Sequence, residues 1–252
     1  MYKIPATTLF FGQNLIFMPE CHSTNSEMLL LCQKDTPAEG TVIITSQQTA
    51  GRGQRGNTWE AHPGKNLTFT LLLKPAFLPL HKQFYLNIFT SLGICDYLTA
   101  NAGLKVQIKW PNDIIANDRK IAGILIESQI SGTAMTQSIV GTGFNVNQNE
   151  FGIPSATSLR LETGNEFDLS DCLGQLLAAM ESRYLQLRNG KYDQLLEAYL
   201  ERMYLLGTRA MFSDNTGLFE GTITGIDPTG RLIVSGRGKE SSYDLKEIRY
   251  EG

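Results

Sequence analysis

Residues 109–123 read Lys109-Trp110-Pro111-Asn112-Asp113-Ile114-Ile115-Ala116-Asn117-Asp118-Arg119-Lys120-Ile121-Ala122-Gly123, and this stretch decides how the chain folds. Apolar residues flank the pair Asn117-Asp118, two residue types that tolerate the positive φ of a two-residue hairpin turn. A turn there predicts that Ile115 pairs with Lys120. It also makes Asp113 and Lys120 diagonal neighbours on one sheet face, roughly 7 to 8 Å apart, so that both would reach one small ligand. Taken alone, an acid and a base so placed are more often a surface salt bridge than a site.

Outward from this hairpin, strands are predicted at Thr41–Thr45, Asn66–Lys74, Val106–Trp110, Asp113–Ala116, Lys120–Ser128 and Gln137–Gly141. Helical periods alternate with them. Thr24 with Glu27 reads as a capping box opening a short helix through Met28, Leu31 and Cys32. From Leu80 to Ala100 the residues Phe84, Ile88, Leu92, Cys95 and Leu98 recur at helical spacing, with Gly103 as the stop. Leu169–Leu187 and Tyr192–Leu205 are helical again. The interleaving predicts an α+β domain, a mixed sheet packed with helices. At Gly207 the pattern changes to short strands with turns at Asp214-Asn215 and Asp227-Pro228-Thr229-Gly230, which divides the chain into residues 1–206 and 207–252. Roughly 45 residues build little core alone, so this small β domain, expected to be a barrel, should pack on the larger one.

Composition narrows the function. Apolar residues make up 42% and charged residues 19% of the 252, as in ordinary globular proteins. The 22 basic and 25 acidic residues give a net charge of −3, so no global field draws the chain onto nucleic acid or an anionic membrane. Neither a secretory signal nor a membrane-length apolar run is visible. Cys21, Cys32, Cys95 and Cys172 contain no C-x-x-C pair, which argues against zinc or dithiol chemistry and for buried thiols in a reducing cytosol. Without a secretory route, Asn66-Leu67-Thr68 matches a glycosylation acceptor by chance.

Gly51-Arg52-Gly53-Gln54-Arg55-Gly56 formally satisfies G-x-G-x-x-G. A dinucleotide fingerprint must open a helix, however, whereas residues 57–64 stay loop-like and a strand follows. The H-R-D and D-F-G sequences of kinases and the P-loop lysine are absent too. What remains is either a solvated glycine loop or a loop carrying two guanidinium groups toward phosphate or carboxylate oxygens. Together with Lys120 and Asp113, the second alternative describes a site that joins an anionic substrate to a nucleotide.

Ser23-Thr24-Asn25, the loop 51–56, residues 109–113, residues 118–123 and Gly141-Thr142-Gly143-Phe144-Asn145 resemble, in order, the motif set of biotin protein ligases. The resemblance spans nearly the whole chain. It implies the class II aminoacyl-tRNA synthetase-like fold of biotin and lipoate ligases with a C-terminal SH3-like barrel, in a cytoplasmic enzyme. The implied reaction has two steps. Biotin attacks the α-phosphate of ATP, assisted by Mg2+, and a lysine of a biotin carboxyl carrier protein then displaces AMP.

The resemblance also assigns residues. Biotin falls to Ser23, Thr24, Asn25, Gln48, Gly51, Arg52, Gly53, Gln54, Lys120 and Gly123. ATP and the adenylate fall to Arg52, Arg55, Trp59, Lys109, Asn112, Lys120, Gly141, Gly143 and Asn145, with Trp59 stacked on the adenine. Catalysis falls to Arg52, Arg55, Lys120 and Asp113, the last receiving the carrier lysine; no metal ligand is assigned. Gln54 stands where many members carry arginine. The chain begins almost directly at the catalytic part, so no DNA binding is expected, nor a membrane, and a homodimer is left open. A lipoate or octanoate transfer enzyme, a non-catalytic biotin-binding module and a nucleotide-binding protein of other substrate are the alternatives. Residues 51–64 are expected to close over the adenylate and exclude water.

Overall fold

Asn117 and Asp118 adopt φ of 47° and 60°, and their turn pairs Ile115 with Lys120 as predicted. A bulge between Ile114 and Ile115 then shifts the register, so that Asp113 faces Gly123. Such a bulge re-aims side chains locally. The computed structural model describes residues 2–4 and 6–251, without the Arg55 side chain.

The hairpin belongs to a seven-stranded mixed sheet. Its strands are β1 (Leu15–Cys21), β2 (Val42–Gln48), β3 (Leu67–Leu73), β4 (Val106–Lys109), β5 (Asp113–Ala116), β6 (Arg119–Ser131) and β7 (Ala134–Phe144), in the order β1-β2-β3-β7-β6-β5-β4. Only the β1–β2 pair is parallel. Helices α1 (Thr24–Lys34), α2 (Tyr85–Ala102), α3 (Leu159–Thr163), α4 (Leu169–Arg188) and α5 (Tyr192–Glu201) complete this part.

Helices cover both faces of the central strands, and alternation along each strand sorts its side chains between them. Val42 and Ile44 join Phe89, Leu92 and Leu177 of α2 and α4 in the main core, whereas Ile43 joins Met28 of α1, Leu72 and Ile139 in a smaller cluster. Every residue of β3 is therefore buried, which its continuous apolar run anticipates. Gly103 ends α2 with φ 63°, as the helical spacing requires.

Several elements depart from the sequence reading. The parallel edge strand β1 is missed because Met18-Pro19-Glu20 interrupts its apolar pattern; proline is tolerated at an edge. The capping box does not form. The helix begins one residue earlier, with Ser23 at the N-cap and no side-chain cap, and the amide of Thr24 donates to Gln48 Oε1 at 2.8 Å. A side chain from a neighbouring strand has replaced the local partner. Leu80–Lys82 forms a separate 3-10 turn before α2, and α5 stops at Glu201 instead of Leu205.

Beyond residue 206, β8 (Arg209–Asp214), β9 (Gly217–Ile226), β10 (Leu232–Gly236), β11 (Lys239–Tyr243) and β12 (Arg249–Glu251) form a five-stranded antiparallel sheet, ordered β11-β10-β9-β8-β12. Phe212, Ile223, Leu232 and Val234 are buried in the same core as α2. The indole of Trp110 donates to Gly230 O at 2.9 Å. Gly230 has φ 92°, and a Cβ there would lie 2.1 Å from Phe84, so only glycine allows this contact.

Candidate active site

A cleft opens where the N-terminus of α1 meets the ends of β2, β6 and β7. Ser23, Thr24 and Asn25 present buried polar groups here, at 4%, 3% and 3% exposure. Gln48 accepts from the Thr24 amide and, at 3.2 Å, from its hydroxyl. Thr70 reaches Thr24 Oγ1 at 2.7 Å and Asn25 Oδ1 at 2.6 Å. Polar groups so tied have fixed donor and acceptor directions, the property needed to read a small polar ring. Gly141 lies beneath, where a Cβ would stand 2.3 Å from Asn25 Oδ1.

The glycine-arginine segment folds over this cleft as a closed loop. Gly53 N donates to Asn57 O at 2.7 Å and Trp59 N to Gly51 O at 3.0 Å, around a 3-10 turn at Gln54–Gly56. Arg52 is held by both arms on Glu127 of β6, at 3.0 and 2.8 Å. The Arg55 side chain, assigned to catalysis and nucleotide above, lies outside the described residues.

Lys120 is the hub. Its ammonium lies 2.7 Å from Asp113 Oδ1 and 5.6 Å from the centre of the Trp59 ring. The indole rests on Gly143, where a Cβ would lie 2.1 Å from it. Trp59 and Lys120 line both this cleft and a second cavity that includes His62, Asn145, Gln148 and Phe151. At this junction Trp59 Nε1, Thr142 Oγ1 and Asn145 Oδ1 are buried without a hydrogen-bond partner. One donor, one acceptor and one hydroxyl so left call for a polar ligand. Two adjoining compartments sharing one lysine suit a reaction between two bound molecules.

Residues 18–145 match the model of the biotin/lipoate A/B protein ligase family. The chain belongs to this family. Among curated relatives, the bifunctional ligase/repressor BirA of Bacillus spizizenii is 31% identical over 246 residues, 96% of this chain and 74% of that one. The biotin–acetyl-CoA-carboxylase ligase of Paracoccus denitrificans is 31% identical over 239 residues, 91% of this chain and 98% of that one. The biotin protein ligase from Aquifex aeolicus in complex with biotin and ATP superposes with a TM-score of 0.80 over 95% of this chain and 100% of that one, at 24% identity. At that identity the superposition speaks for the fold.

Within this family member, the cleft gathers Ser23, Thr24, Asn25, Gln48, Arg52, Gly53, Gln54, Trp59, Asn112, Lys120, Gly123, Gly141 and Gly143. Gly51 backs it, packed against Gln48 and Trp59. Asn145 falls in the second cavity, and Asp113 joins through Lys120. Lys109 is not brought there. Its ammonium lies 4.8 Å over the ring of Tyr250, because the β4 end faces the C-terminal sheet. Burial first, then the charges of Tyr204 and Asp113, push the Tyr250 phenol up. Thr68, Thr70, Glu127 and Gln148 escaped the sequence reading; only the period-two placement of Thr68 and Thr70 in β3 signalled a shared face. Asn66 is buried and bound to Val146 N at 3.0 Å, so no glycan reaches it. No cluster of three metal-ligating side chains exists among the described residues. Magnesium held largely by nucleotide phosphates and water needs none.

Proposed function

We propose that this chain biotinylates a lysine of a biotin carboxyl carrier protein in an ATP-dependent reaction through biotinyl-5′-AMP. The observation that carries this reading is the single cleft in which the Ser23-Thr24-Asn25-Gln48 network meets Lys120 and the glycine-arginine loop. The network binds the ureido ring, which offers one acceptor and two donors. The valeryl carboxylate is then directed toward Lys120, whose ammonium, with Arg52 and Arg55, offsets the repulsion between a carboxylate and a triphosphate. A carboxylate oxygen bonds to the α-phosphorus as the bond to pyrophosphate breaks; magnesium, when bound with ATP, neutralises the departing charge. The carrier lysine attacks the mixed anhydride as a neutral amine, AMP leaves with the bonding pair, and Asp113 takes the amine proton. Trp59, lining both compartments, covers the anhydride and stacks on the adenine.

Residues 1–206 carry this chemistry and 207–252 form the smaller unit. The carrier is the lysine-bearing domain of a biotin-dependent carboxylase, and the four free thiols fit the cytoplasm. The deciding experiment is ATP–pyrophosphate exchange with biotin or lipoate, beside a Lys120→Ala variant. Exchange that needs biotin and falls about 10²- to 10³-fold in the variant is expected. Dependence on lipoate, or binding without exchange, would overturn the proposal.

A further inference from the structure

Glu127 lies on β6 outside every motif read from the sequence, yet its carboxylate is shared by two of them. Oε1 accepts from Arg52 Nη1 at 3.0 Å, while Oε2 accepts from Arg52 Nη2 at 2.8 Å and from Asn25 Nδ2 at 2.8 Å. Asn25 cannot follow a displaced partner. Its amide also donates to Leu125 O at 3.2 Å, its oxygen accepts from Thr70 at 2.6 Å, and Gly141 closes the space beneath it. Arg52 in turn makes a backbone bridge to Thr58 across the loop, so the residue whose fork Glu127 holds is also tied to the other side of the loop.

We propose that Glu127 is a positioning residue that anchors the glycine-arginine loop to the start of α1 and thereby sets the affinity for biotin without touching it. A carboxylate is required because three N–H groups converge on two oxygens. A carboxamide offers one oxygen and two donors, so a glutamine would oppose at least one of those N–H groups. The affinity half rests on the function proposed above; the anchoring half does not.

In Glu127→Gln, amide hydrogen exchange over residues 51–59 should accelerate about tenfold. The KM for biotin in pyrophosphate exchange should rise about tenfold while kcat changes less than about threefold. Native-like loop exchange in a folded Glu127→Gln overturns the anchor, and faster exchange with an unchanged KM overturns its effect on affinity. Should Glu127→Gln not fold, Glu127→Asp keeps the charge but is one methylene too short to reach both Arg52 and Asn25; exchange over 51–59 must accelerate in that variant, or the anchor is rejected. Faster loop exchange in a chain that lacks biotin-dependent turnover would keep the anchor and reject the reaction.

Discussion

Gly143 shows how a single hydrogen atom in place of a methyl group holds the cleft open to Trp59. A Cβ at this position would stand 2.1 to 2.6 Å from three indole atoms. Gly143→Ala is therefore expected to lift Trp59 off β7. Because the indole sits on a loop, the cost falls at the low end of the roughly 1–3 kcal/mol of overpacking. Biotin-dependent pyrophosphate exchange should drop by at least about tenfold, with a shifted indole emission; wild-type values for both would show that Trp59 does not depend on this glycine. The thiol of Cys95 illustrates the opposite case, a residue silenced by its surroundings. Burial pushes its pKa up to about 12, so at pH 8 it stays protonated and should not react with a thiol reagent in the folded protein, while unfolding should expose it.

At the scale of the element, α1 owes its N-terminus to a strand. With no side-chain cap from Ser23, the Thr24 amide depends on Gln48 at the end of β2. Gln48→Ala should cost about 1 kcal/mol, as loss of a cap does, and lower Tm by roughly 2–4 °C. Glu27→Ala should change stability by less than about 0.5 kcal/mol, since the reciprocal bond of a capping box is not made. Thermal melts of the two variants decide between these origins of the cap, and a larger loss in Glu27→Ala would contradict the observed geometry. Gln48 also lines the cleft, so its variant should weaken biotin binding as well.

The whole molecule is tied by groups that join distant elements. Asp96 of α2 receives Arg183 of α4 at 2.6 and 3.1 Å and Arg202, just beyond α5, at 2.7 Å. Partial burial alone would raise this carboxyl, but the two guanidinium groups outweigh it and hold it below the ordinary value. A depressed native pKa contributes stability above the unfolded value of about 3.9, and that contribution is lost as pH falls through the native value. Asp96→Asn should thus cost about 2 kcal/mol at pH 7, a Tm lower by roughly 4–8 °C, and the gap from wild type should begin to narrow below about pH 4. An equal gap at pH 7 and pH 3 would assign the loss to packing. Trp110→Phe removes the buried bond to Gly230 O and should cost about 1 kcal/mol, read as earlier melting of the C-terminal sheet by hydrogen exchange.

The hairpin at Asn117-Asp118, the buried strand β3 and the helix closed by Gly103 were legible because each rests on local rules: turn residues that accept positive φ, an unbroken apolar run, a helical period with a glycine stop. The order of motifs likewise groups Ser23 to Asn25, the loop 51–56 and Lys120, from each of which residues line one cleft. What escaped was set by partners distant in sequence. Gln48 displaced the capping box, the bulge beside Ile114 moved Asp113 opposite Gly123, and Lys109 turned to Tyr250 instead of the nucleotide side. Glu127 carries no sequence signature, because a carboxylate on a strand gains its meaning only when Asn25 and Arg52, 102 and 75 residues away, arrive on its two oxygens. Sequence by itself determined most of the elements and the chemical inventory, since propensity and periodicity act over a few residues; the edge strand β1, the cap of α1 and which groups meet were decided by tertiary packing, because hydrogen bonds and charges act through space and not along the chain.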